Sequence, residues 1–200
     1  MQGNCPICKR GKGMVCDQCF SEFKRNDAQV KLKYVDQTIT PFTYDGILKD
    51  IMLDFKFGKN YAWGKILGQV LYRALAEEDF DFKSYDLVTF IPSDFIRMAK
   101  RGFNQAELMA KSFAECAGLD CRATMRRTKL QKESHKATGK VRENIDHKFK
   151  AKESGLKGAK RVIIIDDIIT TGRTISEAGK CIKLATNAEV LALALLGDYK

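Results

Sequence analysis

The stretch that most restricts the fold of this chain is Val162-Ile163-Ile164-Ile165, followed by Asp166-Asp167-Ile168-Ile169 and then Thr170-Thr171-Gly172-Arg173-Thr174. Four aliphatic residues in a row leave no polar face. Such a run suits a strand buried on both sides, in the middle of a parallel sheet. Apolar residues then recur with helical spacing over residues 174–185. The two carboxylates therefore sit near the C-terminal end of a central strand, the edge at which open α/β sheets bind ligands. Small hydroxyl residues around a glycine let successive backbone N–H groups converge on one oxyanion. The N-terminus of the following helix adds about half a positive charge. Thr170, Thr171, Gly172, Arg173 and Thr174 accordingly read as a phosphate cradle, although not a Walker loop, because the GK[ST] element is lacking. Asp166 and Asp167 suit hydroxyl groups or a metal ion beside that phosphate. A sugar phosphate has both.

The rest of the chain supplies a setting for this unit. Ile47, Leu48, Ile51, Met52 and Phe55 predict an amphipathic helix over 46–57, stopped at Gly58. Further helices are expected over 61–78 and 104–117. Residues 86–91, closed by Pro92, and 189–196 read as buried strands. Residues 34–44 read as a strand or hairpin, and 121–125 as a short strand. From residue 86 on, strands alternate with helices, so the fold class is α/β, a mostly parallel sheet flanked by helices. The 44% hydrophobic content supplies a core for one domain with a small appendage. No run approaches the roughly 18 apolar residues of a membrane span. The N-terminal residues contain no apolar segment of a secretory signal, so a cytoplasmic location is expected.

Cys5-Pro6-Ile7-Cys8 and Cys16-Asp17-Gln18-Cys19 are two CxxC turns within fifteen residues. Each presents two thiolates to one side of an ion, and two such turns close a tetrahedron. Cys5, Cys8, Cys16 and Cys19 are therefore expected to hold a structural Zn²⁺ with no open position. The net charge of +10 is concentrated: residues 126–160 hold twelve Lys/Arg against four Asp/Glu, a net +8. Most of that segment lacks a period and reads as loop. So local an excess points to a polyanion such as nucleic acid, pyrophosphate or a phosphorylated sugar.

The strand-and-loop unit resembles the phosphoribosyl pyrophosphate (PRPP) signature of the type I phosphoribosyltransferases. The double CxxC, Ile91-Pro92 and Arg101-Gly102-Phe103-Asn104-Gln105 extend the resemblance to the ComF family of competence-associated phosphoribosyltransferase-like proteins. There a zinc finger precedes the transferase domain. Arg97 and Arg101 stand in that family's arginine pattern, while Ala99 replaces a further arginine often found between them. The resemblance implies a zinc knuckle over 1–25 and a phosphoribosyltransferase-like domain over 26–200, with a lid over 126–145. It implies that Asp166 and Asp167 face the ribose hydroxyls of PRPP, directly or through Mg²⁺, and that Thr170–Thr174 take the 5′-phosphate. Arg97 and Arg101 would meet the pyrophosphate, joined by Arg126, Arg127 or Lys129 from the lid. The implied reaction is phosphoribosyl transfer with release of pyrophosphate, linked to DNA uptake. A different reading makes the chain a non-catalytic accessory that binds single-stranded DNA on the same scaffold. Against it, the basic segment has Phe149 as its one aromatic residue, so a stacking platform is lacking there.

Overall fold

The computed structural model describes residues 4–12, 14–128 and 148–199. In chain order its elements are α1 (Asp17–Ser21), β1 (Gln37–Ile39), β2 (Phe42–Thr43), α2 (Gly46–Phe57) and α3 (Ala62–Ala76). A 3-10 turn precedes β3 (Leu87–Phe90), α4 (Phe95–Arg101), α5 (Gln105–Ala117) and β4 (Asp120–Cys121). The rest comprises β5 (Met125–Arg127), β6 (Phe149–Ala151), α6 (Glu153–Leu156), β7 (Arg161–Ile169), α7 (Arg173–Ala185) and β8 (Glu189–Gly197).

The aliphatic run lies where two-sided burial requires. The main sheet has the order β1-β8-β7-β3-β4, with β2 continuing the β1 edge along β8, and every pairing in it is parallel. Val162–Ile165 and Val190–Leu196 are at most 1% exposed. From β3 the chain passes through α5 to β4 on one side, and from β7 it passes through α7 to β8 on the other. Right-handed crossovers that step in opposite directions place their helices on opposite faces. The strand order therefore reverses between β3 and β7, and a crevice opens at their C-terminal ends. Phe90 is the last β3 residue paired with β7, opposite Ile165. β7 runs on for four residues beside β8 alone, so the acids lie within its extension rather than at its end.

α3 and α5 pack closely because Gly68 has no side chain: a Cβ there would lie 2.5 Å from Met109 O. The segment around the cysteines is joined to the main core by aromatic contacts. Phe20 and Phe23 pack edge-on to Phe42 of β2, with centroids 5.7 and 5.4 Å away. Residues 37–43 form two short parallel strands on β8, not a hairpin, since both pair in the same direction with the same partner. The described parts of the 126–160 segment are not simply loop. β5 and β6 form an antiparallel ribbon, followed by the short α6. Cross-strand pairing and the buried Met125 and Phe149 supply what local periodicity lacks. No helix among the described residues is long and apolar enough to cross a membrane.

Candidate functional site

A cleft of about 310 Å³ opens between the C-terminal ends of β3 and β7. Neighbouring residues of a strand point to opposite faces. Asp166 and Asp167 nevertheless both line this cleft, because β3 has ended and the crevice cuts through the sheet beside them. The Asp166 carboxylate accepts from Asp167 N at 2.9 Å, and that of Asp167 accepts from Ile168 N at 2.8 Å. Asp167 also pairs with Lys56 of α2 at 2.8 Å, with both side chains largely buried. Burial, and then the negative charge of Asp167, push Asp166 up to about 8.

The loop after β7 forms one wall. Thr170 and Thr174 line the cleft; Thr171 and Arg173 are exposed. Gly172 is left-handed at φ +69° and is overlain by Leu32, so a side chain there would meet both backbone strain and a clash. Its carbonyl accepts from Ser176 N at 2.8 Å and starts α7. The first N–H groups of α7 have no intrahelical acceptor and remain as donors at the loop. Lys148 Nζ donates to Thr174 Oγ1 at 3.0 Å.

The opposite wall comes from the loop after β3. Asn104 donates to Ile91 O and accepts from Ser93 Oγ, both at 3.0 Å, and so ties the start of α5 to the strand end. Phe103 stacks on Phe55 at 5.4 Å and anchors the turn. Arg101 donates to Gln105 Oε1 at 3.0 Å and lies 5.4 Å from the Phe57 ring. Gln105 is buried, and its Nε2 finds no acceptor among the described residues. From the ribbon, Arg127 Nε donates to Pro92 O at 3.0 Å. Asp166 and Asp167 thus share one cleft with cations from α2, α4 and β5, an arrangement suited to a ligand that carries both hydroxyls and phosphates.

The structure brings Asp166, Asp167, Arg101, Arg127, Thr170 and Thr174 to one cleft. Arg126 is exposed on the ribbon, and the backbone of Arg97 lies in α4. Lys129 and most of the 126–145 lid lie outside the described residues. Lys56, Lys148, Asn104 and Gln105 were not singled out from the sequence. Asn104 and Gln105 belong to the RGFNQ element and Lys148 to the basic segment, whereas Lys56 reaches the cleft from a helix with no local signal. Tyr61 is 69% exposed at the start of α3 with its edge toward Phe103. It lies outside the packed interface because α3 buries the face that carries Ile66, Leu67, Val70 and Leu71.

The cysteines form a second centre. The Sγ atoms of Cys5, Cys8, Cys16 and Cys19 all lie within 4.8 Å of one another. Cys8 and Cys16 are 3.7 Å apart, close to the ~3.8 Å edge of a tetrahedron with 2.3 Å Zn–S bonds. Backbone N–H groups of Gly11 and Arg10 pull the Cys8 thiol down to about 6, while burial pushes Cys19 up. The donor set fits a soft metal ion, with four thiolates and no open position.

A parallel sheet with acids and a hydroxyl-rich loop at its switch point defines the class of phosphoribosyltransferase-type domains. The family model for the phosphoribosyl transferase domain matches residues 95–198, just over half of the chain. The chain belongs to that family. It is similar to the competence protein ComFC of Streptococcus pneumoniae, at 32% identity over 78% of this chain and 66% of that one. The match thus spans just under two thirds of that relative. ComFC of Bacillus subtilis is 29% identical over 89% of this chain and 70% of that one. Among solved structures, the allosteric regulatory enzyme of purine biosynthesis aligns with a TM-score of 0.46. It is 19% identical, over 66% of this chain and 25% of that one.

Proposed function

We propose that the chain binds PRPP with Mg²⁺ and transfers its phosphoribosyl group, with release of pyrophosphate. The observation that carries this reading is the convergence on one cleft of two adjacent carboxylates, the loop that starts α7, and arginines from two other elements. In this reading the N–H groups of Thr170–Thr174 hold the 5′-phosphate, and Asp166 and Asp167 hold the ribose hydroxyls. Arg101 and Arg127 receive the pyrophosphate, with Arg97, Arg126 and Lys129 added from α4 and the lid. The C1–O bond breaks with its electron pair going to pyrophosphate, while the acceptor's lone pair forms the new bond to C1. The transition state is oxocarbenium-like, so positioning, charge stabilisation and exclusion of water supply the rate. The paired carboxylates are hard oxygen donors that fit Mg²⁺, which when bound offsets the charge of the leaving pyrophosphate. Residues 1–25 are read as a structural Zn²⁺ knuckle on Cys5, Cys8, Cys16 and Cys19, and residues 26–200 as the transferase-like domain. The names of the relatives support a role in competence, and the expected location is the cytoplasm.

Isothermal titration calorimetry with PRPP and Mg²⁺ tests this. The parent chain should bind, and the Asp166→Asn, Asp167→Asn double variant should lose binding at least tenfold while keeping its circular dichroism spectrum. Equal binding by the two proteins would refute the assignment.

A second reading is favoured by one observation. Phe57 and Tyr61 are 70% and 69% exposed, and Phe57 lies beside Arg101. Exposed rings with adjacent cations are what single-stranded nucleic acid stacks on. The non-catalytic single-stranded DNA accessory is therefore the alternative, and variants of Arg126, Arg127 and Lys129 separate it from the transferase.

A further inference from the structure

α2 ends beside the cleft, and Lys56 in its last turn extends to Asp167. The ammonium and carboxylate are 2.8 Å apart, with side chains 17% and 16% exposed. Little solvent intervenes to screen them. One Asp167 oxygen accepts from Lys56 and the other from Ile168 N, and one Asp166 oxygen accepts from Asp167 N. Three of the four carboxylate oxygens are thus engaged with partners of this chain. A hard divalent ion needs several oxygens of one site at once. It would have to approach an ammonium paired with Asp167, at a few ångströms in a poorly screened cleft, where repulsion is large.

From this geometry we infer that Lys56 is the resident counter-ion of the acidic pair and closes it to free divalent cations. A metal then enters only when already bound to the phosphates of the ligand. Those phosphates offer the ammonium a new partner, and the four-carbon stem of lysine lets it move off Asp167. Naming the ligand rests on the PRPP reading; the counter-ion role itself does not. Lys56 is a positioning residue here, since its effect on the ligand passes through Asp167.

The test uses metal alone. The full chain is titrated with Mn²⁺ at pH 8 by calorimetry, without PRPP. The parent should bind weakly at the acidic pair. Lys56→Met should bind at least tenfold more tightly, Lys56→Arg should match the parent, and Lys56→Met with Asp167→Asn should lose the gain. Mn²⁺ affinity in Lys56→Met no greater than in the parent would overturn the inference, as would a gain that survives Asp167→Asn. A measurement on the parent covers the case in which Lys56→Met fails to fold. The paired ammonium should give an exchange-protected ¹⁵N signal that persists in millimolar Mg²⁺ and is lost only when ligand is added with it. Absence of a protected signal, or its loss in Mg²⁺ alone, also overturns the inference. Failure of PRPP to bind the parent would instead defeat the functional reading and leave the Mn²⁺ results standing.

Discussion

An aspartic acid in water ionises near pH 4, whereas burial and the charge of Asp167 push Asp166 up to about 8 in the folded protein. Between those values the folded state keeps a proton that the unfolded chain has released. Stability contributed by this group therefore falls as pH rises from about 4 to about 8, by at most about 1.4 kcal/mol per pH unit, and is level above. Asn has nearly the same shape and no charge to bury. Asp166→Asn should gain on the parent as pH rises, by at most about 5 kcal/mol at pH 8, and the two should converge near pH 4. Urea unfolding at pH 4.5, 6.5 and 8 measures this, and parallel stability curves would show that Asp166 titrates normally. The same substitution removes a carboxylate from the proposed sugar site, so stability rises while ligand binding falls. The acids and the TTG loop were legible in the sequence because one strand and its following turn carry them all. Lys56 was not, since it lies more than a hundred residues away on a helix whose apolar pattern says nothing of where its last turn points.

At the scale of elements, the start of α7 depends on the left-handed Gly172 beneath Leu32. Gly172→Ala should cost about 1–3 kcal/mol from backbone strain together with the displaced leucine. A thermal melt checks it, and an unchanged midpoint would mean that the loop adopts another path. The β5–β6 ribbon separates the two functional readings. Its Arg127 reaches Pro92 O, and Lys148, just before β6, reaches Thr174. The base of the basic segment therefore touches both walls of the cleft. Neutralising Arg126, Arg127 and Lys129 should slow pyrophosphate release from PRPP more than it weakens PRPP binding. An unchanged release rate, with a salt dependence of single-strand DNA binding flattened by about 0.7 per lost contact, would favour the DNA reading. The ribbon and α4 escaped sequence reasoning for different reasons. Ribbon pairing joins residues more than twenty positions apart, and α4 leaves Phe95 and Ile96 exposed instead of showing a buried stripe.

For the whole molecule, the cysteine segment is coupled to the α/β core through Phe20, Phe23 and Phe42. One Zn²⁺ per chain is expected from metal analysis. Cys16→Ser should reduce it and lower the melting midpoint by several degrees, since about 1 kcal/mol moves a domain of this size by 2–4 °C. A midpoint unchanged despite metal loss would show that the knuckle contributes nothing to the core. Features written in contiguous residues could be read without the fold: the buried central strand, its acids and cradle, the helices with clean apolar stripes, and four thiolates at metal-binding spacing. Each follows from local periodicity or from a short loop that can adopt few conformations. What depends on distant segments meeting came from the assembled fold. It ended β3 early enough to expose both acids to one cleft. It set Arg101 and Arg127 around them, and it placed an ammonium against Asp167. Those positions follow from how the helices pack across the sheet, and packing joins residues that no local window contains.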